Sequence, residues 1–282
     1  MRQGTVLGLS ARGFHRVTYA EWGDRGAPRT VVCVHGLTRN GRDFDALAGD
    51  LAAGGRRVVC PDVVGRGDSD RLADPMGYGF PQYLADMTAL IARLDVDGVD
   101  WVGTSMGGLI GLLLAVQPNS PVRRLVLNDV GPFVPKAALE RIAANIAGPT
   151  RFPDPDAAEA HLRVAQAGFG ALTDAEWRDL TRRSVRPAAD GGWQLAFDPA
   201  ITVPMTAQPI ADVDLWPLWD AVRCPVLVLR GARSDLLTAG TAAAMATRGP
   251  RARVVEIADA GHAPALLDPA QIAVVRTFLG EE

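Results

Sequence analysis

Val99-Asp100-Trp101-Val102-Gly103-Thr104-Ser105-Met106-Gly107-Gly108-Leu109-Ile110-Gly111-Leu112 reads as three pieces in a fixed order. Residues 99–102 are β-prone, the run from Gly108 is small and apolar enough for a buried helix, and Gly-x-Ser-x-Gly joins them. A serine in so sharp a strand-to-helix turn brings the residues two positions away on either side into collision, so Gly103 and Gly107 answer a steric demand. The turn presents the Ser105 hydroxyl at the end of a sheet, as a nucleophile must be presented. A bare Gly-x-Ser-x-Gly also recurs by chance in turns, so its meaning depends on what the rest of the chain supplies.

A serine hydroxyl is a weak nucleophile until a base takes its proton, and the chain has four histidines. His15 lies beside the N-terminal strands and His161 outside the strand-helix alternation. His35 follows a strand and heads the loop His35-Gly36-Leu37-Thr38. His262 remains, in Ala258-Asp259-Ala260-Gly261-His262-Ala263-Pro264 between the last strand and the last helix, and is the candidate base. A carboxylate must orient that imidazole. Asp235 follows the strand at 226–229, and the chain order Ser, Asp, His favours it; Asp129, just past the strand at 124–128, competes. The developing oxyanion needs backbone donors, for which Met106, directly after the nucleophile, and Leu37 are the candidates.

Around these residues, β-branched runs at 5–9, 16–21, 30–34, 57–60, 99–103, 124–128, 226–229 and 253–257 alternate with helix-period segments such as Leu84, Met87, Leu90, Ile91 and Leu94. That alternation predicts a parallel sheet covered on both faces, with the first two runs as an antiparallel edge. From Phe133 to about Ile210 it gives way to Ala-, Arg- and Asp-rich helical segments punctuated by Pro153, Pro155 and Pro187. This is an insertion after the sixth strand. Its aromatics either pack it onto the core or line an apolar acyl pocket, and Trp177 and Trp193 are the candidate substrate contacts.

The 282 residues are 48% hydrophobic and 22% charged with a net charge of -3, an ordinary globular balance that argues against a nucleic-acid partner. Lys136 is the only lysine, a compositional bias from which no function follows. The opening residues lead into no apolar stretch with a small-residue cleavage site, and no run is long and charge-free enough to span a bilayer. A cytoplasmic protein without a membrane partner is expected. Cys33, Cys60 and Cys224 are far apart, lack C-x-x-C spacing and sit in or beside apolar runs, so buried thiols are expected rather than a disulfide or a metal site. The glycine-rich turn Asp62-Val63-Val64-Gly65-Arg66-Gly67-Asp68-Ser69 lacks the G-K-[ST] and G-x-G-x-x-G patterns and reads as structural rather than as a phosphate cradle.

Taken together, His35-Gly36, the Asp62 to Ser69 turn, the Ser105 elbow, Asp235 and Gly261-His262 resemble the α/β-hydrolase family, specifically its lidded esterase-like members. The resemblance spans nearly the whole chain apart from the insertion. It implies a mostly parallel eight-stranded sheet with helices on both faces, a helical lid after the sixth strand, and no cofactor. The core would comprise residues 1–132 and 211–282, and the lid 133–210. Dehalogenase and epoxide hydrolase members carry aspartate where Ser105 stands, and members that cleave carbon-carbon bonds usually have a longer glycine-rich loop than His35-Gly36-Leu37-Thr38. The expected activity is hydrolysis of a small or medium carboxylic ester, a small-molecule substrate, through an acyl-enzyme. Lactonases, thioesterases, perhydrolases and carbon-carbon hydrolases share these residues, and a non-catalytic ligand-binding receptor is the alternative of another class.

Overall fold

The β-branched runs become the strands of one sheet in the computed structural model, which describes residues 1–189 and 191–281. These are β1 (Arg2–Ser10), β2 (Gly13–Trp22), β3 (Thr30–Val34), β4 (Arg57–Pro61), β5 (Val99–Thr104), β6 (Val122–Asn128), β7 (Val226–Gly231) and β8 (Arg253–Ile257). Their order is β1-β2-β4-β3-β5-β6-β7-β8. β2 runs antiparallel to both of its neighbours, and every pairing from β4 to β8 is parallel. β1, β2 and β6 begin before the apolar runs that mark them; between β1 and β2 the backbone pairing continues past the last buried side chain, as at Ser10 and Gly13.

Strand alternation divides the core in two. Val32, Val34, Val59, Trp101, Leu125, Leu127 and Val228 belong to one cluster, packed with α2 (Phe80–Leu94) and α3 (Met106–Ala115). Val31, Cys33, Val58, Cys60, Val102, Val126 and Leu229 belong to the other, under α1 (Asp45–Ala53) and α7 (Pro269–Gly280). Every residue of β3, β4 and β7 is buried, as expected of strands covered on both faces. Cys33 and Cys60 are buried free thiols, and burial pushes the Cys60 thiol up.

After β6 the chain leaves the sheet and returns at β7. The two-residue strands Phe133–Val134 and Val213–Asp214 pair antiparallel and close the neck of the excursion. Between them lie α4 (Lys136–Ile146), α5 (Pro155–Ala165) and α6 (Asp174–Ser184), with a small sheet of Arg151–Phe152, Trp193–Leu195 and Val185–Pro187. α6 starts on a capping box between Thr173 and Glu176.

The tightest packing in the core is at the elbow. A Cβ on Gly103 would run into the Gly107 peptide, and one on Gly107 into the Val34 carbonyl. β5, α3 and β3 therefore approach as closely as backbones can. Gly107→Ala is expected to force them apart and lower unfolding free energy by about 3 kcal/mol, the upper end for overpacking, with a matching drop in the urea midpoint. A midpoint equal to wild type would show that the contact relaxes freely.

Candidate active site

Ser105 sits between β5 and α3 with φ 52° and ψ -116°, a conformation that a non-glycine residue holds only when its surroundings impose it. Its N–H donates to the Asn128 carbonyl at 3.0 Å, which ties the elbow to the end of β6. Its Oγ lies 2.9 Å from His262 Nε2, and His262 Nδ1 lies 2.7 Å from Asp129 Oδ2. A carboxylate on Nδ1 places the imidazole proton there, leaving Nε2 to accept the serine proton.

The structure brings Asp129, and not Asp235, to His262. Asp129 is fully buried; its Oδ1 accepts from Gly231 N–H at 2.8 Å, and its Oδ2 accepts from the Ser234 hydroxyl at 2.6 Å as well as from His262. Asp235 faces outward, where Arg141 of α4 donates to it through Nε at 2.5 Å and Nη2 at 2.7 Å. Arg141 holds the Asp235 carboxyl below its usual range against an opposing effect of partial burial. Chain order could not separate the two, because both aspartates lie between Ser105 and His262. The discriminating feature is the loop after β7, which turns the short Ser234 side chain inward and its neighbour outward.

Met106 opens α3, so its N–H is among the donors without an intrahelical acceptor at the positive end of the helix dipole. Leu37 follows β3 beside it, and both Leu37 and Ser105 face one cavity. The loop carrying Leu37 is held from behind. His35 Nδ1 donates to the Gly36 carbonyl at 2.6 Å and Nε2 accepts from Val63 N–H at 2.9 Å, an arrangement for neutral imidazole. Burial lowers the His35 pKa to about 4. Asp62 accepts from Gly41 N–H at 2.7 Å and Asp68 N–H at 2.8 Å, filling the glycine-rich turn with its own carboxyl, whose pKa burial raises to about 6. The turn is a buttress for the loop.

The cavity measures about 350 Å³ and is walled mainly by the insertion, which gives it apolar side chains such as Ile142, Leu162 and Phe169, neutral polar ones such as Asn145 and Gln166, and the charged Arg141, Glu176, Asp179 and Arg183. Trp177 and Trp193 are not among the lining residues. Trp177 is buried inside the insertion with the Arg163 guanidinium 5.5 Å from its ring, and Trp193 pairs across a strand with Phe152. Ring size alone marked them, and size does not report direction. Phe169 was the informative aromatic: it follows Gly168, whose carbonyl accepts from Gly261 N–H at 2.8 Å, while the Phe169 carbonyl accepts from Ala265 N–H at 3.2 Å. The insertion thus grips the His262 loop on both sides. It also reaches the loop after β3, where Arg39 Nη1 donates to Ser184 Oγ at 2.8 Å and Asn40 Nδ2 to the Arg183 carbonyl at 2.8 Å.

A serine–histidine–aspartate relay at the C-terminal ends of parallel strands, opening into a pocket under a helical insertion, is the arrangement of an α/β hydrolase, and the α/β-hydrolase-fold family model matches residues 29–269. The chain belongs to that family and is an enzyme acting on ester bonds. It is 50% identical to the 3-hydroxybutyrate-oligomer hydrolase of Cupriavidus necator over 285 residues, covering 98% of this chain and 97% of that protein. Among solved structures it is similar to a protein from Rickettsia typhi, with TM-score 0.93, 32% identity and 100% of both chains covered. It is similar also to an α/β hydrolase from Novosphingobium aromaticivorans, with TM-score 0.87, 38% identity, and 99% of this chain and 98% of that one covered. Among the described residues no helix is long and apolar enough to cross a membrane.

Asp129→Asn is expected to reduce kcat by up to ~10⁴, the scale of a mis-set imidazole tautomer, and Asp235→Asn by less than ~10-fold. Steady-state kinetics on folded variants checks the ranking, and the reverse order would return the acid to the loop after β7. His35 titrates lower in the folded than in the unfolded chain, so its contribution to stability is present above pH 6.5 and is lost as pH falls toward 4. Asp62, with its raised pKa, works in the opposite sense over the same range. His35→Gln should therefore be destabilised relative to wild type at pH 7.5, with the gap in melting temperature closing between pH 6.5 and 4. A constant gap would show that His35 does not titrate there.

Proposed function

We propose that the chain hydrolyses short oligo-esters of 3-hydroxybutyrate or a closely related hydroxy acid, with Ser105 as nucleophile, His262 as general base and acid, and Asp129 as the residue orienting it. One observation carries this: the Ser105–His262–Asp129 relay opens into a pocket of about 350 Å³, a volume that suits a small molecule, lined by apolar side chains such as Ile142, Leu162 and Phe169 together with polar and charged ones such as Asn145, Gln166 and Arg183. The similarity to the Cupriavidus enzyme over nearly the full length supports the choice of substrate.

In this reading the Ser105 oxygen attacks the ester carbonyl carbon as its proton passes to His262 Nε2, and the carbonyl π electrons move onto oxygen. The Leu37 and Met106 N–H groups receive that charge. The tetrahedral centre collapses, breaking the bond to the alkoxy oxygen, which takes the proton from His262 and leaves as the hydroxyl end of the released unit. Water, deprotonated by the same histidine, then attacks the acyl-serine and frees the carboxylic acid. Asp129 stabilises the transient imidazolium in both halves without taking its proton.

The test is a substrate panel: 3-hydroxybutyrate dimer and trimer, p-nitrophenyl acetate and butyrate, a matched thioester and a lactone, with products followed by chromatography. Release of 3-hydroxybutyrate at a higher kcat/KM than any other member, abolished in Ser105→Ala, is the expected result. Thioester or lactone turnover without cleavage of the dimer or trimer would move the activity to another acyl class.

A further inference from the structure

Arg66 is fully buried, although a buried guanidinium is costly unless something compensates it. No carboxylate among the described residues forms an ion pair or a hydrogen bond with it. Its Nε donates to the Leu37 carbonyl at 2.8 Å, and Nη1 donates to the Val64 carbonyl at 2.7 Å and to Tyr83 Oη at 3.0 Å. Nη2 meets Met106 Sδ at 3.7 Å. The rings of Tyr83 and Tyr78 lie 5.1 Å and 5.7 Å from its Cζ, so π faces supply part of the missing counter-charge. Arg66 does not line the cavity; it touches both residues that offer oxyanion donors from the protein side of that wall. The glycine-rich turn around it is tied to the insertion by Gly67 N–H on the Ala196 carbonyl at 2.7 Å and Asp198 N–H on the Gly65 carbonyl at 2.7 Å.

We infer that Arg66 is a positioning residue for acyl transfer: it fixes Leu37 and Met106 in register and sets behind the oxyanion hole a positive charge that no carboxylate among the described residues contacts directly, so that the negative charge formed in the transition state acquires a partner it lacks in the ground state. This deepens the serine-hydrolase reading above and rests on it. A group that acts on the transition state changes kcat, whereas one that shapes the pocket for substrate changes KM. Because the guanidinium acts through the hole and not inside it, its loss should cost less than the ~10² to 10³ that follows removal of a hole donor.

The experiment compares Arg66→Met, Arg66→Lys and Arg66→Gln with wild type on whichever ester the panel identifies. Folding is checked by circular dichroism. Two inhibitors are measured alongside: an alkylboronic acid, which forms a tetrahedral anion on the serine, and a neutral amide analogue of the substrate. Arg66→Met should lower kcat ~10- to 100-fold with KM within about twofold, and weaken the boronate by a similar factor while leaving the amide unchanged. Arg66→Lys should recover at least ~10-fold of that loss. If the methionine variant does not fold, Lys against Gln carries the same comparison, since both are long and polar and differ in charge. A folded variant with wild-type kcat, or equal weakening of boronate and amide, overturns the inference. Ser105→Ala separates the two levels: if it retains turnover, the serine-hydrolase reading falls and takes this one with it, whereas a dead Ser105→Ala beside a fully active Arg66→Met removes only the role of Arg66.

Discussion

The site depends on one backbone constraint, the left-handed turn at Ser105, where β5 must become α3 without a residue to spare. The turn places Gly107 directly against the Val34 carbonyl, so β3 has to be the neighbour of β5. The loop leaving β3 then emerges beside the helix N-terminus, and Leu37 comes next to Met106. On the other side Ser105 N–H takes the Asn128 carbonyl, which fixes the end of β6 and with it Asp129. Strand order, the loop that carries Leu37 and the position of Asp129 thus follow from the same strained residue. Trp101 secures the crossing by donating from its indole Nε1 to the Gly107 carbonyl at 2.9 Å.

Around this turn the protein keeps an unusual density of polar groups away from water. His35, Asp62, Asn128 and Asp129 are all buried and hydrogen-bonded: Asp62 and Asp129 to peptide N–H groups, His35 to a carbonyl and a peptide N–H, and the Asn128 amide NH₂ to the Thr104 hydroxyl and the Pro264 carbonyl. Such a network is rigid because any displaced member would leave a partner unpaired in a low-dielectric interior. Rigidity is what oxyanion stabilisation needs, since donors that must reorganise during the reaction lose much of their effect.

Much of this was legible in the sequence. β-branched runs and glycine spacing located the strands and the elbow, because strand burial and close backbone approach leave composition signatures. His262 was found by elimination among four histidines. The carboxylate beside His262 was not legible: two aspartates follow strand ends in the right chain order, and what separates them is which side chain the loop after β7 turns inward. That depends on Ser234 capturing Asp129, a contact between residues more than a hundred positions apart. The insertion aromatics failed for a related reason. Trp177 and Trp193 are the largest rings there, yet helical phase and strand pairing point them into the insertion's own core, while the smaller Phe169 and Phe197 reach the cavity.

The two peptide hydrogen bonds from the Gly168–Phe169 turn to either side of His262 have an evolutionary consequence. In a modular view, the insertion is a cassette that can be exchanged to retune specificity over an unchanged engine. Here the cassette supplies the bearing in which His262 is mounted: a Cβ at Gly168 would run into the His262 backbone itself. A side chain larger than hydrogen at position 168 would therefore press on the His262 backbone. A grafted insertion lacking so small a residue at that point would bring its new pocket together with a displaced histidine, trading selectivity and turnover in a single step.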